Sequence, residues 1–239
     1  MSLDEFTRAY RKYNHFFSHL KTDASLVRRI EEAQQAVMSR VRSLIDTGRS
    51  LEENLEKPEI KRELEEALKE IAGILGEEPP SLDEAMKAVG SGRIEGPGRI
   101  GLLALQAVAR AYADLLLERE GPGYEPSQYC PVCGAPSQTM VKEGRSFYMI
   151  CHFCTYKWLV SQRGLLCPYC GNTNPVSIGL FSDRKRRVAL ALCQECGTLW
   201  NIVVDESIKA PRILLPLIAS SAQAYRVFIP DGLKEIISD

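Results

Sequence analysis

The sequence predicts an α+β chain: a helical bundle, then two tandem modules built on four cysteines each, then a C-terminal helix. Three observations predict it. Apolar residues recur at helical spacing from the N-terminus to about residue 120. All eight cysteines lie beyond that point, as four Cys-x-x-Cys pairs. The cysteine region also repeats itself, which marks one small unit written twice.

The helices follow in order. The first carries Tyr10, Tyr13, Phe17 and Leu20 on one face. A second starts at Asp23 and lines up Leu26, Ile30, Ala33, Val37, Val41 and Leu44. Pro58 suits the first turn of a third, with Ile60, Leu64, Leu68, Ile71 and Leu75 inward and Gly76 at its end. Ser81 and Glu84 make a capping box for a short fourth helix, which Gly90-Ser91-Gly92 closes. The helix from about Arg99 to Glu120 is apolar over most of its surface and belongs at the centre of the bundle.

Gly121-Pro122-Gly123 breaks the chain where the composition changes. The expected domains are a bundle over 1–122, a first cysteine module over 128–163, a second over 164–205 and a C-terminal helical segment over 206–239. Within that last segment, 211–225 reads as helix.

The repeat carries the chemistry. The first copy runs Cys130-Pro-Val-Cys133-Gly134, then Cys151-His-Phe-Cys154, then Trp158. The second runs Cys167-Pro-Tyr-Cys170-Gly171, then Cys193-Gln-Glu-Cys196, then Trp200. In both, the Trp falls four residues after the last Cys, and these are the only two tryptophans. Two residues between cysteines let the backbone turn so that both sulfurs face one point, and two such knuckles complete a tetrahedron. The 17 and 22 residues between knuckles each suit a β-hairpin. In the first copy its strands are Thr139 to Val141 and Ser146 to Ile150, with Glu143-Gly144 turning. In the second, Arg184 to Arg187 sits at the tip.

Cys130, Cys133, Cys151, Cys154, Cys167, Cys170, Cys193 and Cys196 are therefore read as ligands of two metal ions, zinc or iron. The repeat favours sequential pairing of the knuckles, although the spacing also permits an interleaved one. Four thiolates saturate a tetrahedral ion, so substrate has no open position. The competing reading, redox-active pairs of the thioredoxin type, lacks the strand-to-helix context that activates a thiolate. The tryptophans read as hydrophobic cover for small modules with little other core.

Composition limits the function classes. Net charge is −1, so no global field points at nucleic acid or membrane. Locally, Cys130 to Val204 holds 8 Lys/Arg against 3 Asp/Glu. The N-terminus shows neither a basic segment nor an apolar run, and no stretch approaches the ~18 consecutive apolar residues of a membrane span. A cytoplasmic location without membrane insertion is expected. Thiols stay reduced there, which favours metal over disulfides. His15 and His19 lie one helical turn apart but lack a third ligand, and His152 lies inside a knuckle that four sulfurs already complete. No Ser/His/Asp set, carboxylate pair or phosphate-cradling glycine loop appears, so no enzyme is expected.

The run from Cys130 to about Val204 resembles the FdhE family of formate dehydrogenase accessory proteins. The matching pieces are Cys130 to Gly134, Tyr148 to Cys151, Cys154 with Trp158, Cys167 to Gly171, and Cys193 through Gly197. The resemblance implies two rubredoxin-like (zinc-ribbon) modules and iron as an alternative to zinc. It also implies a cytosolic maturation factor that binds the catalytic subunit of a molybdenum or tungsten formate dehydrogenase, or a related redox enzyme. Two alternatives remain: a zinc-ribbon protein that binds nucleic acid through the basic tip, which the near-neutral charge argues against, and a rubredoxin-like electron-transfer protein.

Overall fold

The computed structural model describes residues 3–17, 23–182, 185 and 187–229. The fold is α+β. Its elements are α1 (Leu3–Phe17), α2 (Ala24–Val41), α3 (Leu51–Leu55), α4 (Pro58–Leu75), α5 (Leu82–Gly90), α6 (Pro97–Glu120), β1 (Thr139–Glu143), β2 (Ser146–Ile150), β3 (Lys157–Ser161), β4 (Ile178–Ser182), β5 (Val188–Cys193), β6 (Leu199–Val203) and α7 (Leu215–Ser220). The chain divides into two compact units, Thr22–Gly121 and Met1–Lys21 with Pro122–Asp239.

In the first unit α2, α4 and α6 pack against one another, and α5 lies on α6. The predicted stripes of α2 and α4 supply Val37 and Val41, and Ile60, Leu64, Leu68 and Ile71, to the core, and α6 adds Ile100, Ala104, Val108 and Ala111. Asp23 caps α2, its carboxylate accepting from Ser25 N at 2.8 Å. Both halves of the Ser81–Glu84 capping box form at α5, and Gly76 ends α4 in the left-handed region (φ 71°). The α5–α6 contact is close because Gly101 has no side chain. A Cβ there would lie 3.1 Å from the Cβ of Ala85 and from Cγ2 of Val89.

Helix α6 is long and apolar enough, by length and composition, to cross a membrane, but 61 % of that window is buried. It also carries a charge where it is most enclosed. Arg110 forks onto Glu31 of α2, Nη1 to Oε2 at 2.9 Å and Nη2 to Oε1 at 2.7 Å. Its Nη1 also donates to Gln34 Oε1 at 2.8 Å. Both charged side chains are only 4 % exposed.

The second unit is one six-stranded sheet in the order β3-β2-β1-β6-β5-β4. Each cysteine module contributes an antiparallel three-stranded meander. The two meanders join where β1 runs parallel to β6, with Met140 opposite Ile202 and Val141 opposite Val203. The sequence predicts two tandem modules without indicating how they pair; in the structure their meanders share one sheet. The physical reason is that β1 and β6 are each an edge of their own meander, and pairing them satisfies both rows of backbone groups. All six residues of β5 are buried.

The C-terminal segment expected as one helix at 211–225 is broken into a 3₁₀ turn at Arg212–Leu214, α7, and a 3₁₀ stretch at Ser221–Phe228. These pieces cover β1, β4, β5 and β6. Helix α1, which the sequence reading grouped with the bundle, packs against α7 in this unit. It buries Tyr13 of the predicted face together with Phe6 and Phe16, while Tyr10 is half-buried and the Phe17 side chain lies outside the described residues. Leu20 lies outside the described residues.

Candidate metal centres

All four knuckles share one backbone device. The N–H of the first cysteine donates to the carbonyl five residues on: Cys130 to Ala135 (2.9 Å), Cys151 to Tyr156 (2.9 Å), Cys167 to Asn172 (2.8 Å) and Cys193 to Thr198 (3.0 Å). In three knuckles a glycine follows the second cysteine and donates back to the first cysteine's carbonyl, from Gly134, Gly171 and Gly197. These glycines have φ of 69°, 76° and 72°. That region costs an L-residue about 1–2 kcal/mol. The exception is Thr155, which holds φ 59° in the corresponding place and is the one described non-glycine residue with positive φ.

The hairpins return each second knuckle to its first. Two groups result: Cys130, Cys133, Cys151 and Cys154, and Cys167, Cys170, Cys193 and Cys196, the sulfurs of each lying within 4.8 Å of one another. The grouping is the sequential one. Across the first group Cys130 Sγ lies 3.5 Å from Cys154 Sγ, and Cys133 Sγ 3.5 Å from Cys151 Sγ. Across the second the Cys167–Cys196 and Cys170–Cys193 distances are both 3.7 Å. These are the wrong lengths for disulfides, and all eight thiols are free. A tetrahedral ion with about 2.3 Å metal–sulfur bonds has edges of about 3.8 Å, so the observed spacing suits such an ion with little rearrangement.

Each group can hold a metal ion, zinc or iron. N–H donors already point at the sulfurs: Phe153 N and Cys154 N at Cys151 Sγ (3.3 and 3.4 Å), and Asn172 Nδ2 at Cys193 Sγ (3.5 Å). Hydrogen bonding within the first group splits its thiols. The bond shared with Cys133 is the largest influence pushing Cys130 up, and bonds from Cys130 push Cys133 and Cys151 down. At Cys193 burial opposes ionisation. The Asn172 amide, the Cys196 and Glu195 N–H groups and Cys170 outweigh it and bring the thiol down to about 7.

The groups differ in exposure. In the first, Cys130, Cys151 and Cys154 are buried and Cys133 is half-buried; in the second, Cys170 and Cys196 are exposed.

Both tryptophans are fully buried on the strand that follows the second knuckle. Trp158 stands opposite Met149, and Trp200 opposite Ala191. The Trp158 indole donates to Ser127 O at 3.0 Å and stacks on Tyr156, ring centroids 6.5 Å apart. His152 stands outside the sulfur group, its Nε2 2.8 Å from Thr139 Oγ1. The His15 and His19 side chains lie outside the described residues, as do Arg184 and Arg186 of the basic tip. Arg187 lies with its guanidinium 5.0 Å from the Phe16 ring centroid.

Sequence reasoning missed Thr155, the Asn172 donor and the Arg110–Glu31 pair. Two of these had a readable signal. Three knuckles read Cys-Gly and one reads Cys-Thr, and Arg110 is the one charge between Arg99 and Asp114.

No family model matches this chain, and no curated protein matches it. Among solved structures it is similar to the crystal structure of the FdhE protein from Pseudomonas aeruginosa. The TM-score is 0.57 and the identity 16 %, over 95 % of this chain and 92 % of that one. The fold is therefore FdhE-like.

Proposed function

We propose that this chain is a cytoplasmic, metal-binding accessory protein that binds the catalytic subunit of a formate dehydrogenase, or of a related molybdenum or tungsten oxidoreductase, during its maturation. The observation that carries the reading is the pair of four-sulfur groups on one sheet, within an FdhE-like fold. In this reading Cys130, Cys133, Cys151 and Cys154 hold one ion, and Cys167, Cys170, Cys193 and Cys196 the other. Residues 128–163 and 164–205 form the two modules. Bound zinc or iron supplies cross-linking of each module and neutralisation of its thiolates. With four thiolates per ion no coordination position remains for a substrate. The chain therefore acts by what it binds and is not an enzyme.

The test is affinity capture of a tagged copy from its native host, with identification of the co-purifying subunits. Recovery of a molybdenum or tungsten oxidoreductase catalytic subunit is expected. Its absence from the captured proteins, with the tagged copy folded and metal-loaded, would overturn the reading. A second reading is electron transfer by iron, which the solvent exposure of Cys170 and Cys196 favours. An absorption spectrum of protein purified without added zinc decides it: a colourless sample with stoichiometric zinc ends the iron proposal.

A further inference from the structure

The sheet carries a second feature that the cysteines do not use. At the end where the β1–β2 turn meets the loop after β3, a cleft of about 690 Å³ is lined by Lys142, Gly144, Arg145, Phe147, Arg163 and Gly164, among others. No carboxylate lines it. Of its three cations, Lys142 is held by Glu206 at 3.0 Å. Arg145 and Arg163 are exposed, and among the described residues neither guanidinium has an ion-pair partner. Glu143, the nearest acid along the turn, is taken by Lys157 at 2.5 Å. Phe147, half-buried, supplies an apolar wall. Gly144 and Gly164 have no neighbour within 4 Å of where a Cβ would stand, so neither crowds the cleft, although the Gly144 N–H is taken by Glu206.

We propose that this cleft is a docking site for an acidic peptide segment of a partner protein, with Arg145 and Arg163 gripping carboxylates and Phe147 receiving an adjacent apolar side chain. The proposal rests on the accessory-protein reading for the existence of a partner. Its chemistry comes from the cleft. Planar guanidinium forks match carboxylates bidentately. Glu206 borders the cleft, but its carboxylate is engaged by Lys142 and the Gly144 N–H, which leaves Arg145 and Arg163 to attract an anion. Three cations around one half-buried aromatic ring do not form the long basic stripe with exposed stacking rings that tracks a phosphate backbone. A net charge of −1 for the whole chain points the same way.

The experiment uses the full metal-loaded chain and a fluorescent octapeptide of alternating glutamate and leucine, read by anisotropy. A glutamine-for-glutamate version and a single-stranded oligonucleotide serve as comparisons. Saturable binding of the acidic peptide that weakens with added salt is expected, with the glutamine version weaker by at least about tenfold, as expected for lost charge-assisted contacts. Arg145→Glu with Arg163→Glu raises Kd by about tenfold or more for the same reason, while metal content and melting temperature stay unchanged, since both side chains are exposed. Equal binding by the double variant, no saturable binding of the acidic peptide, or tighter binding of the oligonucleotide would each overturn the proposal. Affinity capture with the double variant separates the two readings. A client captured equally by wild type and variant overturns the cleft alone. Peptide binding that needs both arginines, with no oxidoreductase captured, supports the cleft and overturns the accessory role.

Discussion

Replacing Arg110 by methionine isolates the buried charge pair of the bundle. The guanidinium makes two bonds to Glu31 and one to Gln34, in a place where both charged side chains are 4 % exposed. Methionine fills much of the volume but leaves Glu31 Oε2 bare. Gln35 still donates to Oε1 at 2.9 Å, and Gln34 keeps its bonds to Leu103 O and Gln106 Oε1, both 2.8 Å. Breaking one side of a buried pair costs about 3–5 kcal/mol, and the surviving Gln35 bond places this case near 3. With a urea slope of about 1.5 kcal/mol/M for a unit of this size, the midpoint falls by about 2 M. Far-UV circular dichroism of the full chain reads it, because α2, α4 and α6 dominate the helical signal. Replacing both partners, Glu31→Met with Arg110→Met, removes the stranded charge and restores the midpoint to wild type or above. A midpoint shift below about 0.5 M for Arg110→Met alone would refute the reasoning that the carboxylate depends on this partner.

Other expectations concern the metal centres. Gly171→Ala forces an L-residue into φ 76° and costs about 1–2 kcal/mol, whereas Thr155→Gly relieves that strain and stays within about 1 kcal/mol of neutral. Thermal melts of the loaded protein compare them, and a larger loss for Thr155→Gly would contradict the account of the knuckle. The exposed sulfurs of Cys170 and Cys196 make the second centre the first to lose its ion. Chelator-driven release is expected in two phases, with Cys170→Ser abolishing only the fast one; release in a single phase would count against the difference. Loading must displace protons, since Cys130 and Cys154 are pushed up when no ion is present. Apparent metal affinity therefore falls as pH falls below neutrality, and a competition titration giving a flat response from pH 8 to about 5.5 would show that thiolates are not the ligands.

The parts of this fold that sequence made legible are those governed by local rules. The stripes of α2 and α4, the Ser81–Glu84 box and the hairpin of β1 and β2 each depend on residues a few positions apart. The cysteine grouping was legible because the module is written twice. What could not be read depends on which surfaces meet. The β1–β6 pairing joins strands about sixty residues apart, and nothing within either strand names its neighbour. An apolar face on α1 says that it packs, not that α7 is what it packs on. Helix α3 is a different case: Ser50 and Glu53 form a complete capping box, but five residues are too few to show helical periodicity. Arg145 and Arg163 sit in separate loops, and only the β2–β3 pairing brings those loops to one end of the sheet.

The central claim is that eight thiols hold two ions. Metal content by mass spectrometry of the purified chain, with a thiol titration on the same sample before and after displacement of metal, tests it most directly. The account predicts two equivalents of zinc or iron per chain and thiols that become fully reactive only when the metal is released. A folded chain with no bound metal and eight thiols reactive from the outset would contradict it.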